Sequence, residues 1–421
     1  MRAGLPGRLV AVRPGERTAL FWSFAYFFSL LSGYYLLRPV REEMGIRGGV
    51  ENLPWAFTAT FASMLVAVPL FSWLVARVPR ARAIPIVYRF FLVHLLIFWI
   101  LLRSGAGHGL VARAFFVWVS VYNLFVVSVF WAYMADVWES SQAKRLFGFV
   151  AAGGSAGALL GPLLAAGLVR PLGVPALLLV SAGLLEVAAR CAGKLGRWAR
   201  QARPGDAGAG AALGGGPFAG VAEVLRSRYL AALAAQMLLF TASGTILYFQ
   251  QARLVSSLLH DSAARTRLFA GIDLAVNLAS LLTQSLLTGT VLTRLGLGFA
   301  LAIHPVLAAG GLLAIAAWPS LALVTGVQAL RRAVHYGLER PAREALYTVV
   351  PREEKYKAKS FIDTVVYRGG DALSAWAWTG ISALGPGLAG GALAATPLAV
   401  AWLLVARYLH RRHSALETTP G

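Results

Sequence analysis

LALVTGVQALRRAVHYGLERPAREALYTVV, running from Leu321 to Val350, decides how this chain is read. Its opening is apolar enough to enter a bilayer. Yet Arg331, Arg332, His335, Glu339, Arg340, Arg343 and Glu344 sit in or beside it. A charged side chain at mid-bilayer costs about 2.5–3.5 kcal/mol even on the most lenient insertion scale. Several together could not face lipid. The stretch therefore reads as a membrane span whose charges face protein or a water-filled cavity, which is where a transport protein holds its solute.

The composition around it agrees. The chain has 421 residues, of which 58% are hydrophobic and only 14% charged, and its mean hydropathy is +0.65. Repeated apolar runs of about 20 residues mean membrane spans. The net charge of +21 is then not a nucleic-acid signal. Basic residues hold the cytoplasmic loops of a polytopic protein inside. The single cysteine, Cys191, excludes an internal disulfide and gives no metal pattern. The seven histidines are scattered, and no serine sits in a nucleophile elbow. The expectation is a protein that is not an enzyme and holds no metal or cofactor. No cleavable signal peptide is read, because the apolar run from Ala19 to Leu37 is too long and lacks a small-residue cleavage site.

Twelve spans follow from the apolar runs. The first six cover roughly 18–38, 53–77, 84–102, 110–135, 146–169 and 173–192; the second six cover roughly 229–252, 268–292, 298–318, 321–349, 360–383 and 388–408. Residues 194–228 between the sets are rich in Gly, Ala and Arg and read as a linker. The expected fold is all-α and polytopic. A six-helix bundle at 1–193 and another at 229–421 are joined by a cytoplasmic linker at 194–228. Arginines and lysines concentrate in the N-terminus, in the connection around Arg77, Arg80 and Arg82, in the linker and in the tail. Both termini are therefore expected in the cytoplasm, and the protein in the inner (plasma) membrane.

The halves echo each other. Gln142-Ala143-Lys144 before span five matches Lys357-Ala358-Lys359 before span eleven, with Gly154 and Gly369 at the same offset. Ser32-Gly33 has a partner in Ser243-Gly244, and Arg77 in Arg294. Matches in register argue for parallel repeats of the kind transporters use. The same offset sets Arg331 opposite Phe116, well inside a span.

The candidate site residues come from polar stripes in these spans. At 100° per residue, Arg332, Tyr336, Glu339 and Arg343 share one narrow stripe, with Arg331 to one side. Either the helix continues through Pro341, or it ends near Leu338 and leaves the later charges in a loop. In span eleven, Asp363, Tyr367, Asp371 and Ser374 share a face, and these carboxylates either pair with span-ten arginines or accept a proton. Span eight presents Asp273, Asn277 and Gln284 together. Span one ends in SGYYLLRPVREEMG, which places Tyr34, Arg38 and Arg41 on one side if the helix passes Pro39. The alternative is a solvated loop cluster of Arg41, Glu42 and Glu43. Arginine suits phosphate or carboxylate because its planar fork binds bidentately and stays charged. Gly153, Gly157 and Gly161, at steps of four, read as a close helix–helix contact rather than a nucleotide loop.

Twelve spans in two halves with a basic linker resemble the major facilitator superfamily. Three stretches resemble its bacterial branch related to the ATP:ADP antiporter (nucleotide exchange) family: SGYYLLRPVREEMG at 32–45, WAYMADVWESSQAKRLFGFVAAGGSAGALLGP at 131–162 and REALYTVVPREEKYKAKSFIDTVVYRGGDAL at 343–373. Leu37-Arg38 and Arg41-Glu42 match the first-span motif, with Arg where the nucleotide carriers usually have Lys. The resemblance implies a transporter and points to nucleotide exchange. The residues themselves favour an anion, because intramembrane arginines outnumber the carboxylates. The leading expectation is a monomeric secondary transporter of an organic or phosphorylated anion, with Tyr34, Arg38, Arg41, Arg332, Tyr336 and Arg343 on the substrate. Asp273, Glu339, Asp363 and Asp371 would balance charge or couple transport. The alternatives are an exporter of hydrophobic or cationic compounds and a non-transporting membrane assembly protein. Nucleic acid is not expected as a partner; the lipid bilayer is.

Overall fold

The computed structural model describes residues 12–77, 80–105, 107–202, 220–385 and 387–417. Among them there are helices and no strands. In order these are α1 (Arg17–Arg47), α2 (Leu53–Arg77), α3 (Arg80–Ser104), α4 (His108–Val137), α5 (Ser140–Ala202), α6 (Val221–Arg226), α7 (Arg228–Leu258), α8 (Ser262–Leu282), α9 (Thr288–Thr290), α10 (Gly296–Ala317), α11 (Leu321–Val334), α12 (Arg340–Leu346), α13 (Arg352–Phe361), α14 (Tyr367–Ala383) and α15 (Gly387–Glu417). Wider π turns at 283–287, 291–295, 335–339 and 362–366 join several of them into continuous rods.

Eight helical stretches among the described residues are long and apolar enough to cross a membrane. Two of these, Arg145–Gln201 (57 residues) and Ser262–Ala317 (56 residues), have more than twice the length a bilayer core requires. Each changes direction at a glycine with positive φ, Gly173 at 77° and Gly296 at 83°, a conformation other residues adopt only under strain. The stretches 321–349 and 352–383 are also helical but carry too many charges to qualify by apolarity. Large apolar side chains such as Val66, Phe90, Ile97, Leu286 and Leu404 point outward from the rods. So much exposed apolar surface suits lipid, not water.

Several local choices explain the helix ends. Ser227 and Ser320 cap α7 and α11, each hydroxyl accepting from the backbone N–H three residues on. α1 runs through the buried Pro39 and ends where the Gly48 N–H reaches the Met44 carbonyl at 2.9 Å. α5 extends to Ala202, so residues 194–202 of the expected linker are helical, and 203–219 lie outside the described residues. The helix after 350 starts earlier than expected, at Arg352.

The chain divides into two compact units. The first comprises Met1–Gly48, Leu70–Leu213 and Asp261–Leu274; the second comprises Gly49–Pro69, Gly214–His260 and Ala275–Gly421. In the first unit, α1 packs against α5 through the glycine stripe. A Cβ on Gly157 would lie 2.4 Å from the Phe28 carbonyl oxygen, and one on Gly161 would lie 2.7 Å from that of Ser32. Only hydrogen at those positions lets the two backbones approach so closely. The interior of this unit is aromatic, built on Tyr26, Tyr88, Phe91, Phe115, Tyr122 and Phe130. The second unit is cored by Leu230, Leu233, Met237, Leu301 and Trp402.

Candidate functional site

The charged stretch from Leu321 to Val350 lies in the second unit. Its helix does not stop near Leu338. α11 passes through the π turn at 335–339 into α12 and ends at Leu346. The buried charged positions are Arg331, His335, Glu339 and Arg343, four residues apart. This corrects the expected stripe: Arg332 and Tyr336 are half-buried, and Arg331 takes the inner place. The reason is the π turn. It holds more residues per turn, so it rotates less per residue, and positions four apart stack into one column. The carbonyls this turn leaves over are claimed by neighbours. Gln284 donates to the Tyr336 carbonyl at 2.8 Å, and Thr288 donates to that of Gly337. Gly337 has no side chain because one would strike Thr283.

Glu339 is the centre of the column, with 1% exposure. His335, one turn before it, hydrogen-bonds its Oε2. His304 of α10 brings its Nδ1 to 3.4 Å from the same oxygen. Gln236 of α7 reaches Oε1 at 3.5 Å. His304 is completely buried, and neither ring nitrogen makes a hydrogen bond. Phe240 of α7 lies parallel to His335 with ring centroids 4.1 Å apart, and Trp402 of α15 lies 4.6 Å from His304. The histidines expected to be scattered thus converge in part. His304, His335 and Glu339 offer ligand atoms all within 4.8 Å of one another, a set that could hold a metal ion. The signal for His304 was present in the sequence: it is the one titratable side chain in Gly296–Ala317.

Arg331 occupies the next turn up. Its Nε donates to Gln328 at 3.2 Å, and its guanidinium lies 5.2 Å from the centre of the Phe240 ring. Its Nη1 is buried with no hydrogen-bond partner. Among the described residues no carboxylate comes within pairing distance of it. Gly244 makes the space, since a Cβ there would lie 2.7 Å from the guanidinium. Arg343, by contrast, pairs with Asp363 at 3.4 Å and also donates to the Met237 sulfur. Asp371 accepts from Thr245 at 3.3 Å and meets Arg368 at 3.5 Å.

The remaining expected residues lie in the first unit. Because α1 continues past Pro39, Arg41, Glu42 and Glu43 are helical, and Glu43 is fully buried; the solvated-loop reading does not hold. Arg38 faces Asp273 at 3.7 Å and the Tyr35 ring at 5.8 Å. Tyr34 is half-buried, edge-on to Tyr35. Arg41 is held from three directions: Nε on the Phe116 carbonyl and the Ser120 hydroxyl, Nη1 on Glu42 at 2.7 Å, and the guanidinium plane 3.8 Å from the Phe116 ring. Glu43 takes Arg265 at 3.1 Å and the Ser262 hydroxyl. No sequence pattern links Arg38 to Asp273 or Glu43 to Arg265 and Ser262, which come from opposite halves of the chain.

No family model matches the sequence, and no curated protein matches it. Solved structures do match. A bacterial homologue of the iron transporter ferroportin, in an inward-facing state, is 14% identical, with a TM-score of 0.65 over 95% of this chain and 98% of its own. A bacterial homologue of the human lysosomal transporter Spinster, inward-facing and unoccupied, is 13% identical, with a TM-score of 0.60 over 96% and 98%. The nucleoside transporter NupG is 11% identical, with a TM-score of 0.59 over 95% and 99%. The chain has the major facilitator fold. Together with its apolar helices, this makes it a multi-pass membrane protein.

Proposed function

We propose that this chain is a secondary transporter of an organic or phosphorylated anion, nucleotides included. It would work by alternating access of two six-helix halves, 1–193 and 229–421, in twelve spans, with both termini cytoplasmic in the inner membrane. The three structural neighbours are a homologue of an iron transporter, a homologue of a lysosomal transporter and a nucleoside transporter. The observation that carries the anion reading is Arg331. A buried guanidinium with no carboxylate partner is expensive to maintain, and a ligand anion would complete it. Its fork suits a phosphate or carboxylate. Arg332, Tyr336 and Tyr34 are candidates for further contacts. Arg38, Arg41 and Arg343 have protein partners in this conformation and would serve the anion only after exchanging them. Asp273, Glu339, Asp363 and Asp371 balance charge or couple transport.

The test is uptake of labelled nucleotides, sugar phosphates and carboxylates into proteoliposomes. The substrate set is first narrowed by a thermal-shift screen, since ligands that bind the native state raise its apparent stability. Arg331→Lys, which keeps the charge but loses the fork, should retain partial uptake. Arg331→Gln should abolish it at equal amounts of folded protein. Undiminished uptake by Arg331→Gln removes Arg331 from the binding site. Efflux of a cationic dye with no anion uptake would favour the exporter alternative.

A further inference from the structure

We propose that His304, His335 and Glu339 form a site for a late first-row divalent metal ion. Two imidazoles and one carboxylate are a ligand set that suits zinc, iron, cobalt or nickel. The inference does not rest on the anion reading. It rests on three observations in the second unit.

The first is convergence. The three ligand atoms come from two helices and lie within 4.8 Å of one another. His335 and Glu339 occupy an i, i+4 pair on one face, and the π turn keeps both on the inner side of the rod. Metal–ligand bonds of about 2.0–2.2 Å require the His335–Glu339 hydrogen bond to open around the ion and His304 to close on it. Both are side-chain rotations.

The second is His304 itself. A fully buried imidazole normally has at least one nitrogen satisfied. Here neither is: Nδ1 faces the Glu339 carboxylate at 3.4 Å without hydrogen-bond geometry, and Nε2 has no partner. A bound cation gives Nδ1 a partner. It also draws charge from Glu339, which the neutral Gln236 amide contacts on its other oxygen.

The third is what surrounds the set. Phe240 and Trp402 pack on the two imidazoles. Gln236 stands behind the carboxylate as an orienting partner, as groups behind metal ligands commonly do. Three protein ligands leave a coordination position open, the mark of an exchangeable or reactive ion rather than a closed structural one. Arg331 lies 5.2 Å from the centre of the Phe240 ring that stacks on His335, and its charge opposes a cation there. The affinity should therefore be moderate and should rise when Arg331 is neutralised.

The probe is Co²⁺, whose visible absorption reports nitrogen and oxygen coordination, titrated into purified protein whose affinity tag has been removed. The expected result is saturable binding of one Co²⁺ per chain, displaced by Zn²⁺. The visible band should be lost in His304→Gln, His335→Gln and Glu339→Gln, and Gln236→Leu should bind about 10–100-fold more weakly. His94→Gln, at a histidine of the first unit, should bind like the unmodified chain. The unmodified protein carries the test even if a ligand variant fails to fold: absence of saturable Co²⁺ binding at millimolar concentration overturns the proposal. So does a full band in a folded Glu339→Gln. Neither outcome bears on anion uptake, which is measured without added metal.

Discussion

Both units set an arginine against a phenylalanine, but the helices exchange roles. In the first unit Arg41 comes from α1 and Phe116 from α4; in the second, Phe240 comes from α7 and Arg331 from α11. The sequence offset between the halves already paired Phe116 with Arg331. What differs is how the guanidinium is completed. Arg41 has a carboxylate, a carbonyl and a hydroxyl, whereas Arg331 has one amide oxygen and an unserved Nη1. Two further half-buried arginines of the first unit also meet a carboxylate: Arg38 meets Asp273, and Arg265 meets Glu43. Arg38, Arg41 and Arg265 are thus neutralised within the first unit, while the second leaves the Arg331 Nη1 and the His304 imidazole unserved. Both ligand proposals therefore rest on the second.

The largest effect should come from breaking the closed arrangement. Glu43 is fully buried, and Arg265 is its cationic partner. Arg265→Ala leaves that carboxylate uncompensated and should cost about 3–5 kcal/mol. Arg190→Ala removes an exposed i, i+4 pair with Glu186 and should cost no more than about 0.5 kcal/mol. Thermal unfolding in detergent, read for both variants side by side, measures the contrast. Equal shifts would mean that the buried pair contributes no more than a surface one.

The open arrangement should respond in the opposite direction. Arg331→Met keeps length and removes a buried charge that has no counter-ion. Replacing buried ionic groups by apolar ones of similar size is often neutral or stabilising by about 1–4 kcal/mol. Arg331→Met should therefore melt at the same temperature as the unmodified protein or higher, while losing anion uptake. Arg41→Met should lose stability, because Glu42 and the Ser120 hydroxyl lose their partner. A marked destabilisation by Arg331→Met would mean that Arg331 is part of the framework, and the two units would no longer differ in kind.

Much of this was legible from residue types, and the rest was lost for stateable reasons. The charges between Arg331 and Glu344 announced a polar interior because no lipid-facing helix could carry them. The glycines at 153, 157 and 161 announced a close contact because steps of four mark one helix face, and the α1 backbone lies against that face. The inward choice of Arg331 over Arg332 was not legible. It depends on a π turn, and a wheel drawn at constant rotation cannot contain one. Nor were the partners of Arg38 and Glu43, since Asp273 and Arg265 come from the other half of the sequence. His304 was visible as a lone imidazole in an apolar helix, but its convergence on Glu339 required the packing of α10 against the 335–339 turn.

The smallest effect concerns the aqueous end of the first unit, where charge is again closed by pairing. Glu16 precedes α1. Arg145 of α5 grips its carboxylate with two N–H groups, at 2.8 and 3.3 Å, while Gln142 and the Arg13 backbone N–H also donate to it. The Arg145 contact is the main reason its pKa lies below the ordinary 4.5, with burial opposing. A carboxylate depressed in the folded state contributes stability that is fully present above its unfolded pKa. That contribution is lost as pH falls through the folded value. Glu16→Gln keeps the shape but drops the charge, and should cost about 1 kcal/mol at pH 7, the scale of a partly solvated ion pair. The gap between the two melting temperatures should stay constant from pH 7 to about 5. It should close once the pH falls below 4.5 and the folded carboxylate takes its proton. A gap that persists at acid pH would assign the effect to packing at the α1–α5 junction rather than to charge. A gap absent at pH 7 would mean that the pair holds nothing together, leaving the glycine contact and the apolar packing to fix α1 on α5.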